Sequence, residues 1–249
     1  MDTEHVTTEI RGNAFYVTMK RSEKKNALTL AMYDALSAAF ARAAEEDAIH
    51  VLVIAGQPGA FTAGNDLRDF MNAPPSGEES HVMRFLRAIV GFKKPIVALV
   101  DGVAVGLGTT MLLHCDFVIA SDRARFLMPF TKLGLVPEAA SSLLVPALFG
   151  RQRAASWLLL GRSIDAKEAL AAGLVMNVVT PDELAGAGDA LVAEIAALPQ
   201  EALRMSKRLI RRGLEAAVKE TMAEEAVAFV ERLRSPETMA ALMAFNTKR

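Results

Sequence analysis

The chain has 249 residues, a length suited to one large domain or to a core with an appendage. Hydrophobic residues make up 52 % of it and aromatic ones only 6 %, so a core packed mainly through Ala, Leu and Val is expected. Lys plus Arg (28) nearly cancels Asp plus Glu (29), which argues against the basic excess of a nucleic-acid binder, and a single cysteine, Cys115, excludes an internal disulfide framework or Cys-rich metal site.

Residues 5–20 alternate polar and apolar around Gly12-Asn13, which predicts a hairpin. From Thr29 to Glu46, Leu30, Tyr33, Leu36, Ala39, Phe40 and Ala43 recur at helical spacing, with Thr29 a fitting N-cap. Val51–Ala55 is a short continuous apolar run, suited to a strand buried on both faces. A Gly/Pro-punctuated loop, Gly56–Asp66, follows, and residues 72–79 are the most loop-like stretch. A helix is expected over Ser80–Gly91, strands over Ile96–Val100 and Phe117–Ala120, and between them a Gly-rich turn, Gly102–Gly108, running into a helix through Thr109–His114. Beyond Pro181 four helices are expected, Pro181–Leu198, Pro199–Gly213, Leu214–Arg234 and Ser235–Phe245, three of them opened by proline. This apolar-rich helical third reads as a region that packs on another subunit.

Neither end of the chain nor its middle suggests a membrane protein. Residues 1–20 lack the apolar stretch of a signal peptide, and no apolar run reaches the roughly 20 residues of a membrane span. The four histidines, His5, His50, His81 and His114, are scattered, with no pair at metal-ligand spacing. No G-x-S-x-G elbow, dinucleotide fingerprint or Walker A pattern is present. Basic residues cluster at Arg21, Lys24 and Lys25, at Lys93-Lys94 and at Lys207–Arg212, where a solvated face is the ordinary explanation.

Chemistry can sit in three places. Gly64-Asn65-Asp66 and Gly106-Leu107-Gly108 each put glycine where a buried strand turns, which lets backbone N–H groups approach a ligand. Two such turns could aim two N–H groups at one oxygen; both could equally be ordinary strand-to-helix turns. The third place is Gly134–Ser142, where Pro137 suits a first helical position with Glu138 in the first turn. Small and apolar neighbours favour a desolvated Glu138 carboxyl with a raised pKa, fit for a general base, although a helix-dipole partner on the surface is the alternative.

Taken together, Phe61–Phe70 (FTAGNDLRDF) and Lys94–Gly108 (KPIVALVDGVAVGLG) resemble the two signature segments of the crotonase, or enoyl-CoA hydratase/isomerase, superfamily. Asp116–Phe126, Leu133–Pro137 and Ala166–Val175 continue the likeness, which runs from about Ile10 to the C-terminus. It implies an α/β fold, a spiral of ββα units over residues 1–197, followed by a helical trimerisation region over 198–249. It implies oxyanion donors at the N–H groups of Asn65 and Leu107, and contacts to the coenzyme A of the substrate at Lys24, Lys25, Ala27, Leu28, Ala63 and Arg68. Phe245 and Lys248 of a neighbouring subunit would join them in a homotrimer or a hexamer, with no tightly bound cofactor.

The hydratases of this family use two glutamates, and the matching positions here hold Thr110 and Phe130. With Glu138 after the proline, the chain is most similar to the peroxisomal-type Δ3,Δ2-enoyl-CoA isomerases, in which one carboxylate shuttles one proton. The resemblance thus implies conversion of 3-enoyl-CoA to trans-2-enoyl-CoA by Glu138, with Leu127, Met128, Phe130 and Leu133 excluding water. A hydratase in the broad sense, a non-catalytic acyl-CoA-binding protein, and another enolate reaction such as decarboxylation or ring-opening isomerisation stay open. The last residues, Thr247-Lys248-Arg249, differ from the peroxisomal C-terminal tripeptide, and a cytoplasmic setting is the expectation.

Overall fold

The computed structural model describes residues 3–66, 69, 77 and 79–247, the side chains of 245–247 excepted. Strands β1 (Val6–Arg11) and β2 (Ala14–Met19) form the expected antiparallel hairpin. Helix α1 (Leu30–Glu45) starts at Thr29, whose hydroxyl accepts the Met32 N–H at 3.3 Å. Three strand pairs follow: β3 (Val51–Gly56) with β4 (Ala60–Thr62), β5 (Ile96–Val100) with β6 (Val103–Val105), and β7 (Phe117–Ser121) with β8 (Arg125–Leu127). Helix α2 (His81–Val90) lies between the first two pairs and α3 (Leu107–Thr110) between the last two. Helices α4 (Ser141–Phe149) and α5 (Arg151–Ala154), strand β9 (Ile164–Asp165), helix α6 (Ala166–Ala172) and strand β10 (Asn177–Val179) come next. The chain closes with α7 (Leu184–Ala196), α8 (Gln200–Arg211), α9 (Glu215–Leu233) and α10 (Pro236–Thr247).

Among the described residues the strands form two sheets. One has the order β1-β2-β3-β5-β7-β10, parallel from β2 onward; the other runs β4-β6-β8-β9, with β9 antiparallel. Each strand pair therefore gives its first strand to the large sheet and its second to the small one, and this builds the spiral. Asp101, directly after β5, lashes the corners of successive turns together. It accepts from Gly59 N at 2.6 Å, Ser121 Oγ at 2.7 Å and Arg123 Nε at 2.7 Å. The Arg123 guanidinium holds its carboxyl down at about 2.

The strands of the large sheet bury both faces, as their continuous apolar runs require. Phe15, Val17, Leu52, Ile54, Ile96 and Ala98 face the main core with α1 and α2, while Tyr16, Val51, Val53, Val97 and Leu99 face α7. Helix α9 adds Val218, Met222, Phe229 and Leu233 to the main core, so the helical third is tied into the rest of the chain.

Two expectations change here. The stretch Gly102–Gly108 is not only a turn but contains β6; the strands of the small sheet are two or three residues long, too short to show a period. The basic cluster at 207–212 is not simply a solvated face. Lys207 is buried, its ammonium donating to Lys94 O and to Asp116 Oδ2, both at 2.6 Å, and burial brings its pKa down to about 8. Lys94 is buried too, its Nζ donating to Ala43 O at 2.6 Å and Glu46 O at 2.7 Å at the end of α1. Long aliphatic stems let both side chains cross apolar ground and deliver the charge to carbonyls. The expected loop at 72–79 lies almost wholly outside the described residues.

Candidate active site

Strands β4 and β6 run parallel, with Ala60 opposite Val103 and Thr62 opposite Ala104, so the turns that leave them emerge at the same edge. They touch there. A Cβ on Gly64 would lie 2.5 Å from Val105 O, and one on Gly108 would lie 2.6 Å from Thr62 Cγ2. Only glycine allows this approach, and Gly64 in addition has φ +80°. Leu28 N donates to Gly64 O at 2.8 Å and Asp66 N to Leu28 O at 2.9 Å, so Leu28 bonds on both sides of Asn65 and leaves the Asn65 N–H turned away from it. Leu107 is the first residue of α3, where an N–H has no partner within its own helix. Among the described residues neither N–H donates to a protein acceptor. Two free donors on abutting turns can serve one oxygen.

The segment under these turns is stiffened by residues that pattern reasoning did not single out. Asn26, buried and at φ 54°, donates through Nδ2 to Ala60 O at 2.8 Å and Phe61 O at 3.1 Å. Its own carbonyl accepts Thr62 Oγ1 at 2.6 Å. Arg21 pairs with Asp66 at 2.6 Å and donates to Ala27 O at 2.9 Å. The Tyr33 hydroxyl, buried on α1, donates to Asn65 Oδ1. The available signal was the left-handed tolerance of an Asn in a short basic loop; nothing in the sequence pairs Tyr33 with Asn65.

Glu138 is buried, but not in a helix as expected. Helix α4 begins only at Ser141, and Ala139 and Ala140 have φ 60° and 56°, a left-handed turn between Glu138 and the helix. Other elements hold that turn. His114, at the end of the helical segment that Leu107 opens, donates through Nε2 to Ala139 O at 2.8 Å. Glu225 on α9 accepts from Ala140 N at 2.6 Å and from Ser142 N at 2.9 Å. Burial, with the charge of Glu225 adding to it, pushes the Glu138 carboxyl up to about 8. Burial likewise raises the Tyr33 phenol, and the charge of Glu138 adds to it, so the hydroxyl that bonds Asn65 also feels Glu138. Beside Glu138 opens a cavity of about 630 Å³, walled by Val82, Met83, Leu86, Met222, Ala226 and Phe229 from α2 and α9.

The model of the family described as "Enoyl-CoA hydratase/isomerase" matches residues 9–249. The chain belongs to the enoyl-CoA hydratase/isomerase family. Its fold is the crotonase-like α/β fold of that family. The enoyl-CoA delta isomerase 2 of Rattus norvegicus is 36 % identical over 98 % of this chain and 63 % of its own length. For the same enzyme of Homo sapiens the figures are 33 %, 94 % and 61 %. The chain thus spans about three fifths of the length of these two relatives. The peroxisomal enoyl-CoA delta isomerase 3 of Mus musculus is 34 % identical over 92 % of this chain and 74 % of its own. Among solved structures, OdaA of Pseudomonas aeruginosa superposes with a TM-score of 0.96 at 39 % identity, covering 98 % of this chain and 99 % of that one. An enoyl-CoA hydratase/isomerase of Pseudoalteromonas atlantica gives 0.94 at 42 %, with 99 % and 98 % covered.

The comparisons correct one expectation, the cytoplasmic setting. Relatives whose names carry a compartment include the peroxisomal mouse isomerase and a mitochondrial probable enoyl-CoA hydratase of Dictyostelium discoideum, 28 % identical over 98 % of this chain and 88 % of its own.

Of the site residues expected for this family, the structure brings Asn65, Leu107 and Ala63 to the joined turns, with the Ala63 N–H on Lys25 O at 2.8 Å. Lys24 and Lys25 are exposed beside them, while Ala27 and Leu28 are buried. Arg68 and Lys248 lie outside the described residues, as does the side chain of Phe245. Thr110 and Phe130 are both buried, 0 % and 4 % exposed, and neither can exchange a proton as a carboxylate does.

Proposed function

We propose that the protein isomerises 3-enoyl-CoA to trans-2-enoyl-CoA with Glu138 as the single base. The observation that carries this reading is the Glu138 carboxyl itself: buried, with a pKa near 8, and facing an apolar cavity. Such a carboxyl is partly ionised at neutral pH and basic enough to take a proton from carbon. Its carboxylate neighbour Glu225 is engaged by two N–H groups and the Ser142 hydroxyl, which leaves it no free role in proton transfer.

In the proposed sequence the thioester carbonyl accepts the Asn65 and Leu107 N–H groups. The Glu138 carboxylate removes a proton from C2, and the C–H electron pair passes into the carbonyl to give a dienolate. The two N–H groups strengthen their hold as charge gathers on that oxygen; losing one such donor costs about 2.7–4 kcal/mol elsewhere. The dienolate then collapses through C4, which takes the proton back from Glu138, and the double bond settles between C2 and C3. Phe130, Met128, Leu127 and Leu133 are assigned the task of keeping water from this exchange.

Coenzyme A is proposed to rest along Lys24, Lys25, Ala27 and Leu28 by Ala63, with Arg68 and the neighbouring subunit's Phe245 and Lys248 completing the contacts. Residues 198–249 are proposed as a trimerisation region. Ile210, 83 % exposed, Met205 and Leu209 on α8 support this as apolar ground facing out. Light scattering on the eluted protein should give three or six chains.

The test is a spectrophotometric assay with 3-hexenoyl-CoA beside hydration of crotonyl-CoA. Fast isomerisation with little hydration supports the reading. Dominant hydration would make the protein a hydratase, and silence in both would point to a different acyl group, a different enolate reaction or a binding role.

A further inference from the structure

The turn that carries Glu138 is held in an unusual way. Ala139 and Ala140 both lie at positive φ, a region that side chains other than Gly, Asn and Asp avoid, and they do so in succession. The residue that should cap α4, Ala140, has no side-chain oxygen to accept the first N–H groups of the helix. Glu225 supplies that oxygen from α9, 83 to 85 positions later in the chain. Its Oε2 accepts Ala140 N at 2.6 Å; its Oε1 accepts Ser142 N at 2.9 Å and Ser142 Oγ at 2.6 Å. The far end of the same segment is fastened from the same side, since Gly134 O accepts Arg232 Nε and Thr238 Oγ1, each at 2.9 Å.

We propose that Glu225 is a positioning residue for Glu138: it holds the left-handed Ala139–Ala140 turn in place and keeps a second negative charge beside the carboxyl. This rests on Glu138 being the base, and it gives α9 a part in the reaction through the turn that carries Glu138.

The other charged or titratable groups near Glu138 come from each packed element. Tyr33 on α1 interacts with it as a buried neutral phenol. His114 is also buried, its pKa brought down to about 4 by burial, so it holds Ala139 O as a neutral donor. Arg87 on α2 and Lys219 on α9 line the same cavity, paired with Glu79 at 3.1 Å and Glu215 at 2.7 Å. Among these neighbours it is the Glu225 charge that adds to the raised affinity of Glu138 for its proton. Burial raises its own carboxyl, against three hydrogen bonds that favour the ionised form.

The test separates the two actions of Glu225. Glu225→Gln keeps the shape and one acceptor but removes the charge. With 3-hexenoyl-CoA, its kcat is expected to fall about tenfold while KM stays within about threefold, because the loss is in the placement of the base. The acid limb of its kcat/KM profile is expected to move down by about half a pH unit or more. Adding Ala140→Gly, which adopts the turn without a clamp, should restore most of kcat and leave the limb displaced. A readout independent of turnover is the titration of the Glu138 carboxyl, followed by ¹³C NMR in Glu-labelled protein and assigned with Glu138→Gln. Its midpoint should fall in Glu225→Gln. An unmoved midpoint in the folded variant, or a kcat loss that Ala140→Gly leaves untouched, overturns the proposal. Should Glu225→Gln fail to fold, the double variant takes the same titration. Should the wild type not isomerise, the titration still decides the role of Glu225 and the isomerase reading alone is lost.

Discussion

The two halves of the proposed site are built on different principles. The joined turns at Asn65 and Leu107 are made of main chain. Neighbouring parallel strands end together, glycine lets the turns touch, and backbone bonds with the Asn26 and Arg21 side chains beneath fix the rest. The Glu138 turn is made of alanines in a conformation alanine disfavours, and it is held by buried ionisable side chains that arrive from elsewhere in the chain. The first half depends on glycines where the turns meet, with Asn26 and Arg21 bracing them from below, and the second on particular side chains bonded to the turn itself. A proposed oxyanion hole needs only N–H groups at a fixed place, whereas a proposed base needs both a place and a tuned affinity for a proton.

The strongest break of this comparison is on the base side. Glu138→Gln should lower isomerase kcat by about 10²–10⁴-fold, the range of general-base contributions. Steady-state assay with a parallel melting curve would check that the fold persists. On the main-chain side, Gly64→Ala forces a Cβ to within 2.5 Å of Val105 O at φ +80°. It should part the turns and cost about 10²–10³-fold in kcat, as for a lost oxyanion donor. Gly108→Ala meets a side-chain methyl of Thr62 first and should cost visibly less in the same assay.

The pH dependence sharpens the base side further. As the proposed base Glu138 would have to be ionised, so kcat/KM should rise with pH through a midpoint near 8. Stability should run the other way. A carboxyl raised from 4.5 to about 8 in the fold stabilises it fully below 4.5, and that contribution is lost as pH climbs toward 8. Between pH 4.5 and 6.5 the buried neutral His114, its pKa down at about 4, pulls the other way, so chemical denaturation should show the fall, up to about 1.4 kcal/mol per pH unit, between about pH 6.5 and 8 in the wild type. Glu138→Gln should flatten the slope.

The smallest expected effect is the most diagnostic of the contrast. Ala140→Gly at φ 56° should stabilise the protein by about 1 kcal/mol, measured by denaturant melts. An alanine placed at Gly64 damages one half; a glycine placed at Ala140 relieves the other.

The sequence reveals these halves unequally, for the same physical reason. Long buried strands such as Val51–Gly56 and Ile96–Val100, and helix α1 with its Thr29 cap, follow from local pattern and appear where expected. The two glycine turns appear as well, but they leave β4 and β6 rather than following strands 51–55 and 96–100 directly. The small sheet stays hidden, since Ala60–Thr62 and Val103–Val105 are too short to carry a period. Pro137-Glu138-Ala139-Ala140 reads as a helix start because Ala is a strong helix former; only Glu225 and His114, through tertiary contact, make the left-handed turn tenable. Glu225 itself sits in an acidic stretch of α9 and gives no local sign of its partner.

The most direct test of the single-base account is the fate of the proton. A 3-enoyl-CoA deuterated at C2 should, at low conversion in ordinary water, give trans-2-enoyl-CoA with a substantial share of deuterium at C4, because one buried carboxyl takes and returns it. Complete loss of the label to solvent from the first turnovers, or transfer that survives Glu138→Gln, would contradict it.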